Sequence, residues 1–307
     1  MGCDWLITGA GGQFGGVLHR LLLDRGESAI GLTSPSGPRP VGSATRPVDL
    51  CDPVAIGALV RALRPRIIIH AAAVTSIQKA YDEPVEARRV NVEATAHLAE
   101  LATEVGARLA FTSTDLVFDG GAAPYDERAE PRPTSIYAKT KLDAEGIVLA
   151  GDRGLVIRLA LMYGLPEVPR RTTFTGQLSA IERGEPLRLF EDEFRSPIWL
   201  QDAATSTMDA AQSQETGILH VGGPRRMSRL DMGRIAAVAL GRPTDNLVAT
   251  RQADFDAPEP RPRDVSLDSG LFYRRFDHPA GRGMEEAMIL ISDEYRRRGG
   301  PWPIRLA

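Results

Sequence analysis

Trp5-Leu6-Ile7-Thr8-Gly9-Ala10-Gly11-Gly12-Gln13-Phe14-Gly15 decides how the rest of the chain is read. The short apolar run Trp5 to Thr8 predicts a buried strand, and the residues from about Gln13 to Arg25 predict a helix. Between them the spacing Gly9-x-x-Gly12-x-x-Gly15 lets backbone amides come close to a pyrophosphate, which the helix N-terminus then stabilises. In the commoner G-x-G-x-x-G register, starting Gly9-x-Gly11, the third glycine would fall on Phe14, so only the wider spacing holds. Gly9, Gly12, Gln13, Phe14 and Gly15 are therefore candidate dinucleotide contacts.

Outward from this turn, apolar runs alternate with helical patterns. Strands are expected at Ala29–Thr33, Pro47–Leu50, Arg66–His70, Arg108–Thr112 and Gly154–Leu159. Ser34 to Pro47, rich in Pro, Gly and Ser, reads as a loop. Helices are expected from Asp52-Pro53 (N-cap, then proline at the first helical position) to Leu63, from Pro84 to Val105, and from Ser135 to Leu149. Strand–helix alternation implies right-handed crossovers and a doubly wound parallel α/β sheet of Rossmann type, with ligands at the carboxyl ends of the strands. Residues 1–161 should form this domain, with a helix and strand over about 199–221 returning to it. Residues 162–307, interrupted by many prolines, should form mainly a smaller α/β substrate-binding domain.

With 43% hydrophobic and 25% charged residues and a net charge of -3, the 307-residue chain has the composition of a soluble globular protein. No long basic run supports nucleic-acid binding. Cys3 and Cys51 make no disulfide framework, and the histidines (19, 70, 97, 220, 278) have no metal-ligand spacing, so no metal is expected. Neither a secretory leader nor a membrane span is legible, which makes the cytoplasm the expected location.

An adenine ribose held by its 2′-hydroxyl meets an acid after the second strand. Here that place is Leu32-Thr33-Ser34, with Arg39 following. Hydroxyls and a guanidinium suit a 2′-phosphate, so Thr33, Ser34 and Arg39 favour NADP, with NAD possible. Asp49 and Leu50 sit where a strand end would meet adenine; Asp49 equally suits a cap ahead of the next helix.

Tyr137-Ala138-Lys139-Thr140-Lys141 places Tyr137 and Lys141 on one helix face. An ammonium nearby favours phenolate and should lower the tyrosine pKa into a working range, for proton exchange with a carbonyl or alcohol. Thr114, within Thr112-Ser113-Thr114-Asp115 at a strand end, adds a hydroxyl for the same oxygen. Thr114, Tyr137 and Lys141 are the candidate catalytic residues.

His70-Ala71-Ala72-Ala73, Val90-Asn91-Val92, Ser113 to Gly120, Pro124-Tyr125-Asp126-Glu127, Tyr137 to Leu142 and Arg261-Pro262-Arg263-Asp264 occur in an order that resembles the extended short-chain dehydrogenase/reductases. The resemblance is narrower to the dTDP-4-dehydrorhamnose reductase group, which also includes the regulatory β subunit of methionine adenosyltransferase. It implies that Thr114 contacts the substrate oxygen, that Tyr137 is the acid, and that Lys141 also holds the nicotinamide ribose. It also implies that His70 and Ala71, Ala72 and Ala73 line the cofactor and that Asn91 supports the site. Read from the residues alone, the alanine run is equally close packing and Asn91 a polar helix residue. Similar nucleotide-sugar dehydratases carry Thr-Asp-Glu; Thr114-Asp115-Leu116 lacks the second acid, and Leu116 cannot exchange protons. Arg195 and Arg261 are candidate contacts for a substrate diphosphate, and each reads equally as a surface residue.

The resemblance implies reduction, by NADPH or NADH, of a keto group on a nucleotide-activated deoxysugar, by a homodimer paired through the 84–105 and 135–149 helices. Two alternatives remain from the sequence. One is a reductase of a non-nucleotide secondary metabolite; the other is a dinucleotide-binding regulatory subunit.

Overall fold

A computed structural model describes residues 2–40, 44–168, 170–277 and 281–300. His278 and the end of the expected second domain, from 301, lie outside them. Seven parallel strands form the central sheet: β1 (Trp5–Thr8), β2 (Ala29–Thr33), β3 (Thr45–Pro47), β4 (Ile67–His70), β5 (Arg108–Thr114), β6 (Leu155–Leu159) and, far along the chain, Gly217–Val221. The last pairs with β6, and the spatial order runs from it through β6, β5, β4, β1 and β2 to β3. The direction of winding reverses between β1 and β4, which opens a crevice at their carboxyl ends.

Side-chain alternation divides the sheet between two cores. Trp5, Ile7, Ile69, Ala110, Leu155 and Ile157 face one side; Leu6, Ile68, Leu109, Phe111 and Val156 face the other. The second side is covered by α2 (Pro53–Leu63), α5 (Ala94–Val105) and α6 (Ile136–Leu149) through Ile56, Val60, Leu98, Leu101, Ala144 and Val148. Burial on both faces explains why the strands read as unbroken apolar runs. Each such Leu or Ile contributes about 1.5–3 kcal/mol relative to exposure. On the first side α1 (Gln13–Asp24) packs together with helices from the second half, so one continuous core runs from Trp5 to Tyr295.

Several expected elements move. The third strand is Thr45–Pro47, cutting into the predicted loop: Gly31, Leu32 and Thr33 pair with Thr45, Arg46 and Pro47. It lies at the sheet edge, where Pro47 costs no ladder bond. The expected helix from Pro84 to Val105 is α4 (Pro84–Arg88), a π-helical turn (Arg89–Glu93) and α5, preceded by an unforeseen α3 (Ile77–Asp82). Asp52 caps α2 by accepting from the Val54 and Ala55 amides, as the Asp-Pro pair predicts.

Beyond β6 the elements are β7 (Met162–Tyr163), α7 (Thr173–Arg183), β8 (Leu187–Phe190), β9 (Phe194–Arg195), β10 (Ile198–Trp199), α8 (Leu200–Gln212), β11 (Gly217–Val221), β12 (Met227–Ser228), α9 (Arg229–Ala239), β13 (Leu247–Thr250), α10 (Gly270–Arg275) and α11 (Met284–Arg297). Trp199, expected in the returning helix, is the last residue of β10 instead. Three two-stranded pairings, β7 with β10, β9 with β12 and β8 with β13, lie outside the main sheet. Val117, Phe118, Tyr125, Val265 and Leu267 pack into a small core of their own, which brings the 117–125 and 261–268 segments together.

Candidate active site

A cavity of about 1060 Å³ opens at the carboxyl ends of β1, β2, β4, β5 and β6. Its floor is the turn into α1. Gly9 has φ +74°, a left-handed conformation that favours glycine, and a Cβ there would sit 2.8 Å from the Ala72 nitrogen. At Gly15 a Cβ would fall 2.3 Å from the Gly9 carbonyl oxygen, so helix and turn touch backbone to backbone. No side chain caps the N-terminus of α1 at Gly12, which leaves its first amides to an anion.

Behind this floor a buried chain ties the strand ends together. Thr8 Oγ1 accepts from the amides of Ala71 and Ala72, both at 3.1 Å, and lies 2.7 Å from His70 Nδ1. His70 Nε2 is 3.0 Å from Thr95 Oγ1, which donates to the Asn91 carbonyl at 2.7 Å. The Thr95 proton is thus committed, so His70 must donate from Nε2 and accept from Thr8 at Nδ1. The ring is then neutral, consistent with burial and nearby Lys141 pushing His70 down to about 3.

His70, expected to line the cofactor, and Asn91, expected to support the site, therefore both stand behind the cavity wall. Asn91 is turned inward by the π-helical turn; its side chain bonds both backbone groups of Val74 (2.8 and 3.1 Å) and donates to Thr140 on α6 (2.9 Å). Arg39 is exposed and is not among the cavity-lining residues, so the guanidinium part of the NADP argument is not in place. Thr33, Ser34, Asp49, Leu50, Ala71, Ala72 and Ala73 all line the cavity. The Thr33 hydroxyl is buried with no hydrogen-bond partner among the described residues. Asp49 accepts from the Cys51 amide at 2.9 Å while Asp52 caps the helix, so the capping alternative for Asp49 falls away.

Thr114, Tyr137 and Lys141 converge on the same cavity, with 7%, 8% and 3% of their surfaces exposed. Ser135 caps α6 and so sets where Tyr137 begins. The tyrosine pKa is raised, not lowered: burial outweighs the hydrogen bond with Thr114, and Lys141 is not among the causes. Burial also brings Lys141 down to about 7, against the pull of Glu145, so it carries less charge to offer. A protonated phenol is what an acid catalyst requires. Lys141 Nζ lies 3.9 Å from the centre of the Phe111 ring.

One further helical turn along α6, Glu145 forms a buried pair with Arg158 (2.7 Å) and accepts from Ser113. On the opposite wall Arg195, Arg229 and Arg261 surround Glu193 at 3.5, 3.5 and 3.3 Å, and Arg195 also reaches Asp115 at 3.7 Å. All five line the cavity. Three cations against two carboxylates leave this wall positive.

The dinucleotide fits these residues: the glycine cradle is one that side chains would fill, the α1 amides are uncapped, and no acid follows β2. The model of the RmlD substrate binding domain family matches residues 4–289. The chain belongs to that family. Among curated relatives, a dTDP-4-dehydrorhamnose reductase of Streptomyces griseus is 31% identical over 86% of this chain and 85% of its own length. The methionine adenosyltransferase 2 subunit beta of Xenopus laevis is 31% identical over 86% and 79%. Among solved structures, a hypothetical dTDP-4-dehydrorhamnose reductase from Sulfolobus tokodaii has a TM-score of 0.80 at 27% identity, over 91% of this chain and 97% of that one.

Among the charged lining residues of this RmlD-family chain that the sequence did not reveal are Arg170, Arg171, Glu193 and Arg229. Arg170 donates to the Gly11 carbonyl at 3.4 Å from the segment between β7 and α7. The adjacent pair Arg170-Arg171 ahead of Thr172, which caps α7, was a signal available in the sequence. Arg229 gave none, because the β9–β12 pairing brings it beside Arg195, whereas Glu193 stands two residues before Arg195 and was passed over.

Proposed function

We propose that this RmlD-family chain is an NADPH-dependent reductase of a keto group on a nucleotide-linked deoxysugar. The observation that carries the reading is the convergence of Thr114, protonated Tyr137 and Lys141 on a cavity that also contains the α1 glycine cradle. Gly9, Gly12, Gln13, Phe14 and Gly15 would hold the dinucleotide pyrophosphate, Thr33 and Ser34 the adenosine 2′ position, Asp49 and Leu50 the adenine, and Ala71 to Ala73 the middle. When bound, NADPH supplies the hydride. Tyr137 gives its proton to the carbonyl oxygen, Thr114 orients that oxygen, and Lys141 holds the ribose and supports the phenol. His70 and Asn91 act by fixing the wall. The positive wall of Arg195, Arg229 and Arg261 would receive the substrate diphosphate, with residues 162–307 serving mainly as the substrate-binding part.

Tyr137→Phe tests the assignment: turnover should fall about 10²–10⁴-fold with NADPH affinity kept. Retained turnover would remove Tyr137 as the acid. A cytoplasmic homodimer joined through α4, α5 and α6 completes the proposal; Val85 on α4 (82% exposed) and Tyr81 on α3 (45%) support such a contact. Light scattering checks it, a monomer at micromolar concentration being the contrary result.

Similarity to methionine adenosyltransferase subunits favours a second reading, as a dinucleotide-binding regulatory subunit. Recovery of a synthetase partner from the native host, with no turnover of keto sugars, would select it.

A further inference from the structure

Thr114 Oγ1 has one proton and two lone pairs to distribute. The proton goes to Asp115 Oδ1 at 3.1 Å. The oxygen accepts the Leu116 amide at 3.2 Å. With its proton on Asp115, Thr114 has none to give a substrate carbonyl. The hydroxyl at the centre of the proposed chemistry is thus held in a non-donating state by its own neighbour.

What holds Asp115 comes from β9. Its other oxygen lies 3.7 Å from Arg195 Nε, and Arg195 is shared with Glu193. Glu193 is itself shared among Arg195, Arg229 and Arg261. The groups facing Asp115 are Thr114 on β5, Tyr137 on α6, Arg195 and Glu193 at β9, Arg229 on α9 and the Leu161 backbone after β6. A diphosphate against the arginine wall would draw on Arg195, leaving a carboxylate that is only 4% exposed without its nearest cation.

We infer that Asp115 is a positioning residue whose carboxylate keeps the Thr114 proton until a substrate diphosphate engages Arg195, and then releases it toward the substrate carbonyl. The inference rests on the proposed reductase reading and adds to it a coupling between diphosphate recognition and the catalytic hydroxyl. On losing Arg195, Asp115 takes a proton from solvent and ceases to compete for the Thr114 hydrogen. Burial already brings Asp115 up to about 6 against the pull of Arg195 and Thr114, so a modest loss of positive charge suffices.

The test begins with the infrared carboxylic-acid band of Asp115, identified by its absence in Asp115→Asn and titrated with and without dTDP. The midpoint should rise by at least about one pH unit with dTDP. If dTDP binds and the midpoint stays, the coupling is overturned while the reductase reading stands. If dTDP does not bind, the nucleotide-sugar reading fails and the coupling with it. Single turnovers with NADPH and a dTDP-linked keto sugar give the second readout. In the wild type the rate should fall by up to about tenfold per pH unit above the shifted midpoint, a limb that Asp115→Asn should lose. A variant slowed by the same factor at every pH, limb intact, would leave Asp115 a merely structural role and overturn the inference. Should Asp115→Asn not fold, Thr114→Val serves: the limb should disappear, and its retention contradicts the coupling.

Discussion

Glu145→Gln offers a perturbation whose size follows from geometry. Glu145 and Arg158 are each about 1% exposed, and their closest contact is 2.7 Å. Arg158 spends both its Nε and Nη2 on this carboxylate, while Nη1 lies 3.4 Å from His220 Nε2. Gln keeps the volume and one acceptor but leaves a guanidinium buried without a counter-charge. Breaking such a pair from one side costs about 3–5 kcal/mol. For urea unfolding with a slope of about 3 kcal/mol/M, the midpoint should fall by about 1 M or more. Arg158→Met should cost a similar amount, and the double variant, with neither charge, should recover most of the loss. Glu145 also raises the proton affinity of Lys141 one turn away, so Glu145→Gln should move the Lys141 titration to lower pH. A single variant within about 1 kcal/mol of wild type, or a double variant as unstable as the sum of both, would refute the reasoning.

Stability should fall on acidification. His70 and His220 are held at about 3 and about 4, below the usual 6.5, so the unfolded chain binds their protons first; their contribution is complete above about 6.5 and is lost as pH falls. Asp115, raised to about 6, works the other way and regains stability below that pH. These three groups together contribute a net loss of about 1 kcal/mol per unit between about pH 6 and 4, to which His19, also lowered by burial, adds and which Glu127 and Glu167, raised by burial, oppose; urea midpoints read it, and a flat profile would contradict it. Arg170→Ala should weaken NADPH binding several-fold and flatten its dependence on salt, measured by cofactor fluorescence, since Arg170 stands over Gly11 and Gly12 at the uncapped helix end. Equal affinities at low salt would count against a phosphate contact.

The parallel sheet was legible because each inner strand is buried on both faces and each main crossover carries a helix with a readable start, as at Asp52-Pro53 and Ser135. The edge strand was misplaced because Thr45-Arg46-Pro47 has no apolar signal; pairing with Gly31 to Thr33 alone defines it. The break at Arg89–Glu93 leaves the apolar spacing of its helix intact, so nothing local revealed that Asn91 turns inward. Gly9, Gly12, Gly15, Thr114, Tyr137 and Lys141 were found through local motifs, and all line one cavity. The Tyr137 pKa went the wrong way in the sequence reading because spacing reports which residues share a face, whereas burial of the whole face decides the proton. Arg229 depends on a contact between distant segments, which no local pattern encodes.

Hydride transfer to a keto sugar is the central claim, and isotope transfer tests it most directly. The protein, incubated with NADPH deuterated at the nicotinamide C4 transferring position and a dTDP-4-keto-6-deoxyhexose, should yield a product alcohol carrying one deuterium on the former keto carbon. Consumption of no cofactor, or a product without deuterium on that carbon, would contradict the account.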